Sequence, residues 1–227
     1  SELFGRDALG EATMKSFVSL RERFLAADGV LIPQKLTMLA APVKIAKSVD
    51  SAPAGLDIKC EFVKSLKLHY QGTLSIDDRS STKLLADPIP LVGVDFRTVT
   101  TAPGLANLSA SWDMENLAEA NAIAVFNHHT FTGDLLMDSF NSQSWGTTIY
   151  EFKPVNSARG TLRFDITMDN QKTIWAITTT SSEETKTQNF SGAFSLARIR
   201  MAQQMTPHKQ FKAPKTTPQE VKSKRKP

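Results

Sequence analysis

The clearest pattern along the chain is an alternation of apolar and polar residues between residues 62 and 77. Leu66, Leu68 and Tyr70 alternate with polar neighbours. The alternation stops at Gly72 and then resumes. A period of two predicts a half-buried strand, and a glycine inside a strand indicates a bulge or a bend. Because a bent strand can contribute to two sheets, this segment favours a sandwich of two sheets.

Similar alternation, or a short apolar run between turn residues, predicts further strands. Residues 88–96 begin with prolines and are expected at a sheet edge, because proline lacks an N–H for a second neighbour. Residues 128–144 and 181–192 are expected as loops, and the sequence leaves open an ordered stretch at residues 135–137. The other predicted strands cover residues 105–114, 123–126, 147–153, 160–168, 173–180 and 193–201, with a short one at 36–39. About eight strands with unequal connections predict an all-β fold, an eight-stranded jelly-roll β-sandwich.

Residues 6–27 are predicted to form a long amphipathic helix, because apolar residues recur at three-and-four spacing. Asp7 is a suitable N-cap and Gly29 a suitable end. The apolar stripe needs a partner, which is either the rest of the domain or another subunit, and the sequence leaves both open. The helix residues expected at an inter-subunit contact are Phe17, Leu20, Arg21, Arg23 and Phe24.

Three regions are predicted. Residues 1–56 combine the helix with an extended arm, because residues 30–56 are rich in Ala, Pro and Lys. Residues 57–204 form the β-sandwich. Residues 205–227 contain four prolines and few apolar residues, which predicts a disordered tail that cannot bury enough surface to fold alone.

The charge of the chain is concentrated in this tail. The net charge is +4, but seven basic residues and one acid, Glu220, give the tail +6 and leave −2 for the rest. The basic residues are Lys209, Lys212, Lys215, Lys222, Lys224, Arg225 and Lys226. Such a tail either binds nucleic-acid phosphates without sequence preference or only aids solubility. Base recognition is not expected, because Phe211 is its one aromatic residue.

The sequence gives no positive sign of catalysis, of a cofactor or of a metal site. The single cysteine, Cys60, excludes a disulfide within the chain and favours a reducing compartment. His128 and His129 are adjacent, but further ligands at workable spacing are lacking, so ordinary histidines are the favoured interpretation. No GxSxG, GxGxxG, Walker A or HExxH motif occurs. We therefore predict a protein that is not an enzyme and needs no cofactor.

Three segments resemble the jelly-roll capsid proteins of picorna-like viruses. They are GEATMKSFVSLRERF from residue 10, EFVKSLKLHYQGTLSID from residue 61 and NFSGAFSLARIR from residue 189. The resemblance implies a structural subunit that assembles with sister subunits into an icosahedral shell around a positive-strand RNA genome. It also implies a host receptor as a partner, and a location in the virion and, during assembly, in the host cytoplasm. The absent initiator Met suits a subunit cut from a polyprotein, although Met removal or a tag scar would give the same start.

A second resemblance is to plant-virus movement proteins of the 30K type. It rests on HYQGTLSIDDRSS from residue 69, where Gly72, Leu74, Ile76 and the turn at residues 77–79 match. This alternative implies a viral protein that binds single-stranded nucleic acid. A third class, a β-sandwich enzyme or lectin-like binding module, has no supporting motif.

Overall fold

A computed structural model describes residue 9 and residues 11–45, 71–73, 82–142, 146–168 and 172–193. The chain divides into two units, Ser1–Phe194 and Ser195–Pro227, and the second lies outside the described residues. Within the first unit the described part is mostly β-structure with one N-terminal helix. This confirms the coarse fold class expected from the sequence. The predicted region boundaries at residues 56 and 204 stay a prediction.

Helix α1 spans Glu11–Phe24. Met14 and Val18 are buried on its inner side, and the ring of Phe17 lies 4.8 Å from that of Phe96. The apolar stripe therefore packs against the helix's own domain along much of its length. The predicted helix is confirmed, with described bounds shorter than residues 6–27, and the predicted cap at Asp7 lies outside the described residues.

The larger sheet contains seven antiparallel strands, in the order β2-β8-β6-β1-β3, with β4 also paired to β1 and β7 to β6. The bounds of its strands are β1 Lys35–Lys44, β2 Gln71–Thr73, β3 Lys83–Leu84, β4 Ile89–Asp95, β6 Ala122–Thr130, β7 Leu136–Asp138 and β8 Thr148–Glu151. Of the opening alternating segment, only β2 is described. It pairs with β8 in regular register through Gly72, and the rest of residues 62–77 lies outside the described residues.

Strand β1 lies at the centre of this sheet. It confirms the short strand expected at residues 36–39, and the prediction of an extended arm is wrong for the rest of residues 35–44. Most of its residues are buried on both faces, so they form a continuous apolar run without alternation. Pro42 is tolerated there because pairing with β4 ends at Ala40 and pairing with β3 begins at Val43. Pro42, which has no N–H to donate, therefore lies at the point where the strand beside β1 changes from β4 to β3.

The smaller sheet contains four antiparallel strands in the order β11-β10-β9-β5. Their bounds are β5 Leu108–Met114, β9 Gly160–Met168, β10 Lys172–Thr180 and β11 Thr185–Ala193. Strands β5 and β9 alternate strictly between buried and more exposed residues, as the sequence pattern predicts. The expected loop at residues 181–192 is wrong, because most of it is β11. Apart from Phe190 it consists of polar or small residues, so it lacks an apolar signal.

Both sheets contribute to one buried apolar cluster. The ring of Tyr150 in β8 lies 5.4 Å from Phe164 and 5.1 Å from Trp175 of the smaller sheet. Trp175 in turn stacks on Phe190 of β11 at 5.5 Å. Aromatic pairs at such distances stabilise a core beyond the area they bury.

A side-chain amide joins the two sheets at the surface. Gln188 of β11 donates from Nε2 to the carbonyl oxygen of Lys153 (2.8 Å), and its Oε1 accepts the N–H of Lys153 (3.0 Å). Asn121 forms a similar pair with the backbone of Ile45, with both bonds at 2.9 Å. Each side-chain amide therefore forms the two hydrogen bonds that the backbone of a neighbouring strand would form, just beyond the end of β8 or β1.

Other expectations are met in part. Strand β4 confirms the strand expected at residues 88–96, and among the described strands it pairs with β1 alone. Between β5 and β6 the chain forms a single 3₁₀ turn at Leu117–Glu119. The loop expected at residues 128–144 is wrong for the end of β6, whereas β7 agrees with an ordered stretch at residues 135–137. The strand expected at residues 193–201 lies almost entirely outside the described residues.

Candidate protein-interaction surface

Most large apolar side chains that remain exposed lie at one end of the larger sheet. Nine such residues are exposed in the described part of the chain, and seven belong to this end. We call this group the apolar end: Leu20, Phe24, Leu25, Val30, Ile32, Leu135 and Leu136. Single exposed apolar residues are ordinary, but a group of them marks an interaction surface.

Strand register brings the apolar end together. The first residue of β1, Lys35, lies opposite both Thr130 at the end of β6 and Asp95 at the end of β4. Thr130 in turn lies opposite Leu136 in β7. The N–H of Gln34 also donates to the carbonyl oxygen of Thr130 (2.7 Å). The segment before β1 and the β6–β7 hairpin therefore meet at this end.

Arg21 attaches the end of α1 to the same region. Its Nη1 donates to the carbonyl oxygens of Phe96 (2.8 Å) and Val99 (2.7 Å), directly after β4. Hydrogen bonds from a charged donor are among the stronger ones in proteins. Arg21 therefore fixes the last turn of α1, so that Leu20 and Phe24 stay exposed beside the chain that follows β4.

The five helix residues expected at an inter-subunit contact divide into two groups. Phe17 and Arg21 face their own domain, through the Phe96 ring and the two carbonyl oxygens. Leu20, Arg23 and Phe24 are exposed, and the side chain of Phe24 is 70% accessible. The Arg23 guanidinium lies 5.1 Å from the centre of the Phe24 ring. Whether the exposed residues contact another subunit stays a prediction.

Three charged side chains interact with one another near the apolar end. Asp95 accepts bonds from the Arg97 guanidinium at 2.9 and 3.2 Å, and Lys35 lies 4.0 Å away. The hydrogen bond from the Arg97 side chain lowers the pKa of Asp95 to about 2. Asp95 is therefore ionised throughout the physiological range, and its charge offsets that of Arg97.

The two adjacent histidines point to opposite faces of β6. His129 is fully buried, and burial, with a smaller effect of the neighbouring His128, lowers its pKa to about 4. His128 is partly exposed, and its Nε2 lies 3.6 Å from Asp138. Among the described residues, no group of three His, Cys, Asp or Glu side chains is placed to hold a metal ion.

The sequence pattern does not predict most of the apolar end. Val30 and Ile32 fall in a segment expected to be irregular, and Leu135 and Leu136 in an expected loop. Apolar residues inside a polar loop are a usable signal, but their convergence depends on strand pairing that the sequence does not reveal. The basic tail residues, Lys209 to Lys226, lie outside the described residues. In the described part, no helix is long and apolar enough to cross a membrane.

Comparison with known proteins gives a structural similarity but no family. No protein-family model matches the chain, and no curated protein matches it. Its fold is similar to that of a solved structure of Arabidopsis thaliana protein arginine methyltransferase 10, with a TM-score of 0.58. The match has 14% sequence identity and covers 84% of this chain and 67% of that one.

This finding overturns the resemblance to picorna-like capsid proteins. The three short segments that suggested it are degenerate, and the structural match covering most of the chain is to a protein of another kind. At 14% identity the similarity concerns the fold alone, so no activity follows from it. The chain therefore shares an arrangement of elements with part of an arginine methyltransferase structure, while no family is assigned to it.

Proposed function

We propose that this chain is a structural subunit that self-assembles through the apolar end, together with sister subunits, into a shell around single-stranded RNA. The observation that carries the proposal is the gathering of seven exposed apolar side chains at one end of the larger sheet. Family resemblance has no part in it. No catalytic step is proposed.

The apolar end suits the centre of a protein interface. The central part of an interface is typically apolar and aromatic, with paired polar groups around it. Here Phe24 and the leucines supply the apolar part, and the Asp95–Arg97 pair lies beside it. Because Arg21 holds α1 in place, little conformational entropy is lost when this surface is covered.

A solution measurement of size tests the role of the apolar end. The full chain is expected to form species larger than a monomer in light scattering and negative-stain images. The double variant Phe24→Asp, Leu135→Asp is expected to weaken association at least about tenfold, because it places two charges in a desolvated contact.

Ile174→Asp is the matched control. Ile174 is 41% accessible, but it lies on the outer face of the smaller sheet, away from the apolar end. It should leave the size unchanged. A full chain that is monomeric at all concentrations, or equal effects of the two variants, would show that the apolar end is not an assembly surface.

The RNA part of the proposal rests on the charge of the tail. Residues 205–227 carry +6, against −2 for the rest of the chain. Binding to single strands releases about 0.7 counterion per neutralised phosphate, so affinity falls steeply with salt. In the full chain, replacing Lys222, Lys224, Arg225 and Lys226 by Gln is expected to reduce the slope of log K against log salt by up to about 2.8.

Filter binding or fluorescence anisotropy with a single-stranded oligonucleotide measures this slope. Replacing four exposed lysines in or next to described strands by Gln provides a charge-matched control that should change the slope less. The four are Lys44, Lys83, Lys153 and Lys186. An unchanged slope in the tail variant would assign the tail to solubility alone.

The same tail supports the alternative function, a movement-type protein that binds single-stranded nucleic acid without forming a shell. The two functions differ in their products. A shell subunit gives closed particles of uniform size, whereas the alternative gives RNA-dependent association that loses its order when the RNA is digested. Imaging before and after nuclease treatment distinguishes them.

We also propose a finer description of the fold as an eight-stranded β-sandwich. In the described part of the chain, eight strands have four or more residues, four in each sheet, and both sheets share one apolar cluster. In the smaller sheet the strands lie in chain order, and the connection from β5 to β9 passes through three strands of the larger sheet. Jelly-roll connectivity stays a prediction, because parts of the chain outside the described residues bear on the strand order.

A further inference from the structure

Within the described part of the chain, strand β11 has one edge that no other strand covers. It pairs with β10 from Thr185 to Ala193 without a register shift. None of the other described strands pairs with it. A long regular edge presents a row of N–H and C=O groups that form a template for another strand.

The other edges in the described part of the chain are short, interrupted or covered. Strand β4 carries Pro90, and its pairing with β1 shifts between Met38 and Leu39. Strands β3 and β7 have only two and three residues, and β2 is described over residues 71–73 alone. Strand β5, at the opposite end of the smaller sheet, lies against β4. Strand β11 therefore differs from each of them.

Its own residues also permit pairing. The strand contains no proline, and its one charged residue, Lys186, already bonds to Glu184 in the same hairpin. The exposed residues of its outer face, Thr187, Asn189 and Ser191, are short, uncharged and able to form hydrogen bonds. Charged or bulky residues, which commonly block an edge, are absent from that face in the described residues.

We propose that β11 pairs with β11 of a second copy in antiparallel orientation, with Asn189 opposite Asn189. This register uses all nine residues, since Asn189 is the central one. It sets Thr187 opposite Ser191 and Lys186 opposite Gly192, so no two like charges meet. Pairs of hydroxyl side chains across strands are favourable, whereas like charges directly opposite destabilise a pair.

The pairing joins two four-stranded sheets into one of eight strands related by a two-fold axis. It rests on the proposed self-assembly and adds to it, because β11 shares no residue with the apolar end. A subunit with two separate self-complementary surfaces forms assemblies larger than a dimer. The β11 edge thus supplies the second contact that continued growth requires.

Disulfide trapping in the full chain tests the register. In a Cys60→Ser background, Asn189→Cys should cross-link two copies under mild oxidation, because directly opposite Cα atoms lie about 4.5–5.5 Å apart. Thr187→Cys is the matched control. Its two copies would be separated by about 14 Å along the strands, beyond the roughly 7 Å limit for a disulfide. A mixture of Thr187→Cys and Ser191→Cys chains should cross-link.

The outcomes separate this inference from the proposed function. Loss of association in the Phe24→Asp, Leu135→Asp variant without cross-linking of Asn189→Cys would overturn the β11 pairing and leave the apolar end in place. The opposite result is cross-linking of Asn189→Cys together with association that the Phe24→Asp, Leu135→Asp substitutions do not weaken. It would support the β11 pairing and overturn the role of the apolar end. Equal cross-linking of the Asn189→Cys and Thr187→Cys chains would also overturn the pairing, because it indicates random collision. Circular dichroism of each variant confirms that it is folded.

Discussion

Acidification is expected to destabilise the fold through one buried histidine, His129. Its position in β6 lies opposite Leu36 of β1 and Met137 of β7. Burial is the main cause that lowers its pKa to about 4, from an ordinary value of 6.5. In the unfolded chain His129 regains the ordinary value, so the unfolded state binds a proton more readily.

The sign and size of the effect follow from this difference. Between pH 6.5 and about 4 the unfolded state holds more protons at this site, so the free energy of unfolding falls as the pH falls. The loss of free energy of unfolding begins near pH 6.5 and is complete below about pH 4. Above pH 6.5 there is no loss. The difference between the two pKa values corresponds to roughly 3 kcal/mol at most, a large share of the stability of a typical domain.

Urea unfolding monitored by tryptophan fluorescence measures the free energy across this range. Trp175 and Trp112 are buried, so their emission reports the loss of the core. Measurements stay above about pH 4, because Asp95 has a lowered pKa and loses its own stabilising effect only as the pH falls from 3.8 towards about 2. The pH range of the His129 effect therefore does not overlap with that of the Asp95 effect.

Two variants isolate the histidine. His129→Met removes the titrating group and should flatten the pH dependence between 6.5 and 4. His128→Asn is the matched control on the exposed face of β6. It should preserve most of the dependence, since desolvation and not His128 is the main cause of the lowered pKa. Equal pH dependence in the native chain and in His129→Met would refute the reasoning.

Two further variants test packing. Arg21→Met should lower the free energy of unfolding, measured in urea, by about 1.5–3 kcal/mol, because it removes charged hydrogen bonds to two carbonyl oxygens. Arg23→Met, at an exposed position, should lower it much less. Equal decreases in the two variants would contradict the anchoring role of Arg21. Gly160→Ala should cost about 1–3 kcal/mol, because its Cβ would collide with the backbone oxygen of Thr180. Gly104→Ala, where a Cβ meets nothing within 4 Å, should be close to neutral, and a neutral Gly160→Ala would show that the strands separate easily.

Regular periodicity accounts for the parts of the fold that the sequence predicts well. Strand β9 matches its expected bounds, because Leu162, Phe164 and Ile166 alternate with more exposed residues. Helix α1 is recognisable for a similar reason, at a period near 3.6. Strand β1 was expected to be only a short strand in an arm, because a strand buried on both faces lacks alternation and Pro42 argued against a central position.

The candidate surface is harder to predict than the strands. Phe24 and Leu20 stand out because they lie on a helix whose apolar stripe is wider than one docking face requires. Leu135 and Ile32 carry no such mark, since each lies in an apolar run of only three residues, which shows neither a helical nor a strand period. Their proximity follows from pairing between residues about 100 positions apart, which local patterns do not encode.

The amide of Gln188 has a consequence for the order of folding. Its two bonds to Lys153 join residues 35 positions apart. They cannot form when the β10–β11 hairpin closes, because the partner backbone belongs to the segment that follows β8. They form only when the two sheets dock. The amide proton of Lys153 is therefore a single-site reporter of docking, and its exchange with solvent should slow at that step and not when the hairpin forms.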